Sequence, residues 1–249
     1  IAKHYIQLVE KSVDGQEVPL KKIELLKKNY ARIESVVSQV RELESVRSSK
    51  ASLKKVPVDL NKCINDCIIE FENRIEEKGI EVFRSYEATS IKVIADEKSL
   101  SNSVINNILS NAIKFCNFKG KIFVKTYIDL EQKNGILVIQ DSGIGMSQKK
   151  ISELFEDHSC TSTPGTNGEK GNGFGMPIVK SYIVEFNGQI SIESISVAEN
   201  PLNHGTTVTI KIPLMARAAL EDFEAKLEPN QLQRINIITS ESSDHYIDS

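Results

Sequence analysis

Gly171-Asn-Gly-Phe-Gly-Met-Pro-Ile-Val-Lys180 sets three glycines at alternate positions and follows them at once with an apolar, helix-competent run. A backbone that must come within hydrogen-bond distance of an anion cannot carry Cβ atoms in the way, and glycine removes them. A helix starting here offers its unpaired first N–H groups and the positive end of its dipole to that anion. Pro177 falls in the first turn, where its missing N–H costs nothing. The same stretch also reads as a plain flexible loop, so its meaning depends on what the rest of the chain supplies.

Working outward, Ser159–Gly175 is too polar to pack, Met176–Phe186 reads as a helix, and Gln189–Ile195 and Thr206–Pro213 read as strands. Upstream, Val56–Leu60 reads as a short edge strand with Asp59 capping a helix through about Glu77, stopped by Lys78-Gly79. Ile80–Tyr86 and Ile91–Ala95 follow as strands. Asp96 caps a helix from Glu97 to about Phe115, with Leu100, Val104, Ile108 or Leu109, and Ala112 turned inward. Lys121–Asp129 and Gly135–Gln140 form a hairpin, and a loop with a short helix spans Ser147–Phe155. The pattern predicts an α/β sandwich over residues 53–214, a mixed sheet covered by three main helices on one face.

Residues 1–52 read differently. Ile1, Tyr5, Leu8 and Val9 fall at helical spacing, Asp14-Gly15 and Pro19 break the run, and a long helix covers about Leu20 to Ser48. Its apolar positions Ile23, Leu26, Tyr30, Ile33, Val37, Val40, Leu43 and Val46 are close to a heptad seam. A single seam on a lone hairpin cannot bury itself, whereas two hairpins from two chains make a four-helix bundle. A homodimer is therefore expected, with a hairpin packed on its own globular domain as the alternative. Ser48–Ser52 reads as a hinge. After Pro213, Met215–Leu227 reads as a charged amphipathic helix and Arg234–Thr239 as a new strand, so 215–249 is a linker and the start of a possible further domain.

The 249 residues carry a net charge of -3, which gives no electrostatic case for nucleic-acid binding. No apolar run approaches the length of a membrane span. The expectation is a cytoplasmic piece of a longer protein, without membrane contact of its own and with an upstream anchor left open. Cys63, Cys67, Cys116 and Cys160 show no paired framework and read as buried thiols in a reducing compartment.

Four stretches carry chemistry. In Asn107-Ile-Leu-Ser-Asn111-Ala-Ile-Lys114-Phe115, two amides and an ammonium share one helical stripe. An amide oxygen is a ligand that Mg²⁺ accepts, and an ammonium suits phosphate. The alternative is a solvated helix face. Asp141-Ser-Gly143-Ile-Gly145-Met146 follows a strand directly, so its carboxylate can accept from a buried amine such as the adenine NH₂, or form an ordinary Asp turn. Glu153-Leu-Phe155-Glu156 supplies an aromatic anchor, and the glycine stretch is the fourth. Gly205-Thr206-Thr207 adds a floor of small residues.

In order and spacing these stretches resemble the N, G1, F and G2 boxes of the catalytic ATP-binding domain of sensor histidine kinases, over roughly residues 53–214. The hairpin before them resembles part of the family's dimerisation and histidine-phosphotransfer domain. The fold class so implied is α+β: a helical hairpin, dimeric as a four-helix bundle, followed by a Bergerat-type ATP-binding sandwich. The resemblance implies ATP and Mg²⁺ as cofactors, with Asn111 holding the metal, Asn107 and Lys114 flanking the phosphates as the catalytic pair, and Phe115 lining the adenine pocket. Asp141 would bind adenine, with Gly143 and Gly145 letting the base slide in beside Met146. Gly171, Gly173 and Gly175 would hinge a lid whose N–H groups near Phe174–Met176 touch phosphate. Phe155 would anchor that lid, and Thr207 would lie behind the adenine.

Related ATPases of this fold carry a glutamate where Asn107 stands; an amide cannot take a proton from water, so phosphoryl transfer to another nucleophile fits better than hydrolysis. The implied activity is that of an ATP-dependent protein histidine kinase, passing phosphate to a histidine and then to the receiver of a response regulator. The alternative is a silent dimeric nucleotide-binding or phosphotransfer scaffold. The match fails at the acceptor: His4 lacks the acidic residue and proline that should follow it, so the acceptor is expected upstream of Ile1. His158 and Cys160 read as exposed lid residues, and His204 and His245 have no assigned partners. The strand at Arg234–Thr239 resembles the first strand of a receiver, with Thr239 and Ser240 where its acidic pair would stand.

Overall fold

The computed structural model describes residues 17–48, 52–155, 165–167, 169 and 173–215. Helix α1 (Glu17–Arg47) is followed by β1 (Val56–Asp59), α2 (Leu60–Glu70), α3 (Glu72–Lys78), β2 (Glu81–Tyr86) and β3 (Lys92–Ala95). A wide π-type turn of helix (Ser99–Ile105) runs into α4 (Asn106–Phe115). Then come β4 (Lys121–Asp129), β5 (Asn134–Asp141), α5 (Gln148–Glu153), α6 (Gly175–Glu185), β6 (Gln189–Ile195) and β7 (Gly205–Pro213).

Five strands form a mixed sheet in the order β2-β4-β5-β7-β6. β2 runs parallel to β4, and the other pairs are antiparallel. Period-two alternation decides the faces. Ile122 and Val124, Leu137 and Ile139, and Val208, Ile210 and Ile212 turn inward and are buried. They meet Ile64 and Ile68 of α2, Leu109, Ala112 and Ile113 of α4, and Ile178, Val179 and Ile183 of α6 in one core. The helices therefore cover one face. β1 and β3 stand apart as a two-stranded antiparallel ladder, so one sheet holds five of the seven strands among the described residues.

Three elements depart locally from the expected ones. The helix expected to run from Asp59 to Glu77 breaks at Phe71, whose backbone leaves the helical region. Asp59 does cap α2, accepting from the Lys62 N–H at 3.2 Å, and Gly79 ends α3 with a left-handed φ of 60°. Helix α1 already includes Glu17 and Pro19, ahead of the expected start at Leu20. The helix capped by Asp96 starts as expected, with Asp96 Oδ1 accepting from the Ser99 N–H at 2.9 Å, but widens before Asn106.

α1 lies against α6. Leu43 and Val46 are buried in the core, and the Glu42 carboxylate accepts from the Ser103 hydroxyl. Cys63, Cys67 and Cys116 are buried thiols; burial pushes Cys63 up to about 11 and Cys67 up to about 12. The first helix of the expected hairpin (1–12), most of the glycine-rich lid including Gly171, His158 and Cys160, and the expected elements after 215 with His245 lie outside the described residues.

Candidate functional site

The polar stripe of α4 is built as its spacing requires. Asn107 and Asn111 are half-buried and Lys114 is buried, while Ile108, Leu109, Ala112 and Ile113 between them face the core. Asn107 Nδ2 donates to the Ser103 carbonyl at 2.7 Å, one turn back. The Lys114 ammonium lies 4.6 Å from the centre of the Phe115 ring. Burial holds its pKa below the usual lysine value, against an upward pull from Glu169.

Asp141 ends β5 on the inner face and is 7% exposed. Its Oδ1 accepts from the Gly143 N–H at 2.8 Å. Burial pushes its pKa up to about 7, although N–H groups of Gly143 and Thr206 and the nearby His204 pull downward. The loop after it is held on several sides. Ile144 N–H donates to the Phe115 carbonyl at 3.1 Å, which joins this loop to the end of α4. Met146 N–H donates to Ser194 Oγ at 2.8 Å, and the His204 ring contacts the Gly143 carbonyl.

The glycines of this loop are required by neighbouring backbone. A Cβ on Gly143 would overlap the Phe115 carbonyl, and one on Gly145, whose φ is 63°, would overlap the Ile195 carbonyl. Close chain approach accounts for both, without invoking room for a sliding base. Register sets the two threonines on opposite faces of β7. Thr206 pairs with Asp141 and Thr207 with Gln140, so Thr206 shares the inner face with Asp141 and Thr207 points to the other side.

Gly175 opens α6 directly against α4: a Cβ there would stand 2.8 Å from Asn107 Oδ1. Gly173 has a left-handed φ of 80°, Phe174 packs on the core and Met176 is buried. The structure thus brings Asn107, Asn111 and Lys114 onto one helix that touches the Asp141 loop at its end and the glycine turn at its start. Phe155 lies apart from these, with the Lys180 ammonium 5.1 Å from its ring centre. It lines a cavity of about 390 Å³ between the end of α1 and the length of α6, together with Val46, Pro177 and Val184. This cavity is not at Asp141.

Sequence reading missed three supporting residues. Ser194 is buried in β6; its hydroxyl contacts the Gly205 carbonyl and Thr206 Oγ1 besides the Met146 N–H. His204 braces Gly143. Lys78, noted only as a helix end, is buried and ion-paired to Glu169 at 2.8 Å. A polar side chain at a helix end carries no periodic signal, and its partner lies 91 positions away in the ion pair Lys78–Glu169.

The class follows from this arrangement and from comparison. Residues 95–216 match the family model of histidine kinase-, DNA gyrase B- and HSP90-like ATPases. Among its relatives, the sensor protein RprX of Bacteroides fragilis is 29% identical over 74% of this chain and 34% of its own length. The sensor histidine kinase AtsR of Burkholderia thailandensis is 24% identical over 84% of this chain and 34% of its own. The chain spans about a third of the length of these relatives. Among solved structures, full-length ShkA in complex with AMPPNP superposes with a TM-score of 0.67 at 19% identity, over 85% of this chain and 42% of that one. Histidine kinase ThkA in complex with the response regulator TrrA gives 0.61 at 22% identity, over 86% and 56%. The fold is the Bergerat-type fold of histidine kinase catalytic domains.

Proposed function

We propose that this chain is the ATP-binding kinase core of a two-component sensor, transferring the γ-phosphoryl of ATP to a histidine and from there to a response-regulator receiver. The observation that carries the reading is the meeting of three parts around α4: the amide stripe, the buried carboxylate of Asp141 and the glycine turn at Gly175.

The donor set fits a magnesium nucleotide. Asn111 offers a neutral amide oxygen for Mg²⁺, and Lys114 a buried ammonium that suits phosphate. Asp141 takes the adenine amine, flanked by Gly143, Gly145 and Met146, with Phe115 beside the base and Thr206 rather than Thr207 sharing the face of Asp141. Gly173, Phe174, Gly175 and Met176 present N–H groups at the start of α6 to the phosphates. Bound magnesium supplies charge neutralisation across the phosphates; the chain's own part is orientation and exclusion of water. Asn107, an amide held by Ser103, has no basic lone pair for abstracting a proton from water, which favours transfer over hydrolysis. The exposed seam of α1 supports a homodimer, and the ThkA–TrrA complex supports a receiver as the acceptor's partner. Residues 1–52 act as part of the dimerisation element, 53–214 as the catalytic domain.

The test is binding of Mg-ATP to the chain by calorimetry. A saturable single site that Asp141→Ala abolishes is the expected result. Failure of the wild-type chain to bind overturns the reading.

A further inference from the structure

Lys78 ends α3, and its backbone is fixed by the left-handed cap at Gly79 and by the Lys119 N–H, which donates to the Lys78 carbonyl at 2.9 Å. Its side chain is 6% exposed and runs inward to the far end of α4. There Nζ donates to the carbonyls of Ile113 at 3.0 Å and Lys114 at 3.1 Å. Last-turn carbonyls of a helix lack intrahelical donors, and a cation at that end complements the dipole.

The same ammonium reaches a second segment. It donates to Thr166 Oγ1 at 2.9 Å and pairs with Glu169 Oε1 at 2.8 Å. That segment is closed on itself: Gly165 N–H donates to the Glu169 carbonyl at 2.8 Å, and Asn167 N–H to Glu169 Oε2 at 2.8 Å. Thr166 is tied to α4 directly as well, its N–H donating to the Lys114 carbonyl at 3.1 Å. Gly165 then lies against the aliphatic stem of Lys114, so close that a Cβ would stand 2.6 Å from its Cγ. A stem confined on one side has fewer rotamers open to it, so the direction of its ammonium is restricted.

We propose that Lys78 is a positioning residue of the nucleotide site: by joining the end of α4 to Thr166 and Glu169 it aims the Lys114 ammonium at the polyphosphate. This rests on the reading of the site given above. Lys78 touches no ligand; it acts through Lys114. Glu169 serves the same end, since its carboxylate faces both ammonium groups, and pairing with Lys78 holds its pKa low in spite of its burial.

The prediction is a loss graded by phosphate number. Affinities for AMPPNP, ADP and AMP with Mg²⁺ are measured by calorimetry on the whole chain. Lys78→Met and Glu169→Gln should each weaken AMPPNP at least tenfold, ADP several-fold and AMP less than twofold. The double variant should be no weaker than Lys78→Met, because both act through one link. Glu169→Gln leaves Lys78 on its two helix carbonyls and Thr166, so it tests the same link even if Lys78→Met fails to fold. Unchanged affinities, tighter binding, or an equal loss for all three ligands overturns the proposal. Wild-type chain that binds none of the three overturns the proposed function and this inference with it. Wild-type binding without the graded loss overturns this inference alone.

Discussion

Gly175 and Asn107 are in contact across the α6–α4 boundary, where a Cβ on the glycine would stand 2.8 Å from the amide oxygen. That gap admits a methyl group only if the amide rotates away or the first turn of α6 lifts. Either change disturbs the place where the stripe and the glycine turn meet. Gly175→Ala should therefore weaken Mg-ATP binding about tenfold, a cost of roughly 1.4 kcal/mol. Because alanine is the better helix former and the turn lies at a helix start, thermal stability without nucleotide should change by less than about 1 kcal/mol. Calorimetry and thermal melting on the same samples separate the two effects. A wild-type affinity in this variant would mean that the contact is not part of the site.

Asp141 gives the site a pH dependence whose sign is fixed by burial. Its carboxyl has a folded pKa of about 7 against an ordinary value of 3.8, because water is excluded. Between those values the unfolded chain has released a proton that the folded chain keeps. Stability from this group is thus full below the unfolded value and falls as pH rises to about 7. At about 1.4 kcal/mol per unit the loss is at most roughly 4 kcal/mol. Asp141→Asn should melt higher than wild type at pH 8 and alike at pH 3.5. Adenine binding should run the other way: an amine donor favours the carboxylate, so nucleotide affinity should rise from pH 6 to 8 in the wild type only. Parallel pH profiles for wild type and Asp141→Asn would sink this account.

These two residues also show what the sequence could convey. The role of Asp141 as a buried carboxylate at a strand end follows from an apolar run ending in Asp-Ser-Gly, and the α4 stripe follows from spacing on one helix. Both are local patterns: Asp141 is buried at the end of β5, and Asn107, Asn111 and Lys114 lie on one helix. The faces of β7 are legible too: Val208, Ile210 and Ile212 alternate, which puts Thr206 on their face and Thr207 on the other, while only the register shows that Asp141 stands opposite Thr206. The break at Phe71 had no glycine or proline to announce it. Ser194, His204 and Lys78 gain meaning only from partners distant in the chain, so no window of sequence contains their signal.

The thiols of Cys63 and Cys67 are raised to about 11 and about 12, chiefly by burial on α2 beneath the helix that follows Asp96. The reactive species is the thiolate, so both should resist iodoacetamide at pH 8 in the native protein. Peptide mapping by mass spectrometry should find them labelled only in denaturant. Rapid native labelling at either position would show that α2 opens far more readily than its buried face implies.

The seam of α1 divides into two parts. Ile23, Leu43 and Val46 are buried within the chain, whereas Leu26, Ile33, Val37 and Val40 remain exposed, Ile33 to 60%. An apolar row at heptad spacing left exposed among the described residues gains stability by burial against a second copy, at about 25 cal/mol per Å² removed from water. Sedimentation velocity should therefore find a dimer at micromolar concentration. Ile33→Glu with Val37→Glu places two carboxylates in the seam, where pairing would bury like charges, and should give a monomer. Both positions point away from the core in the single chain, so nucleotide affinity should stay at the wild-type value. A wild-type monomer, or a dimer that survives both charges, would assign the seam to packing within one chain instead.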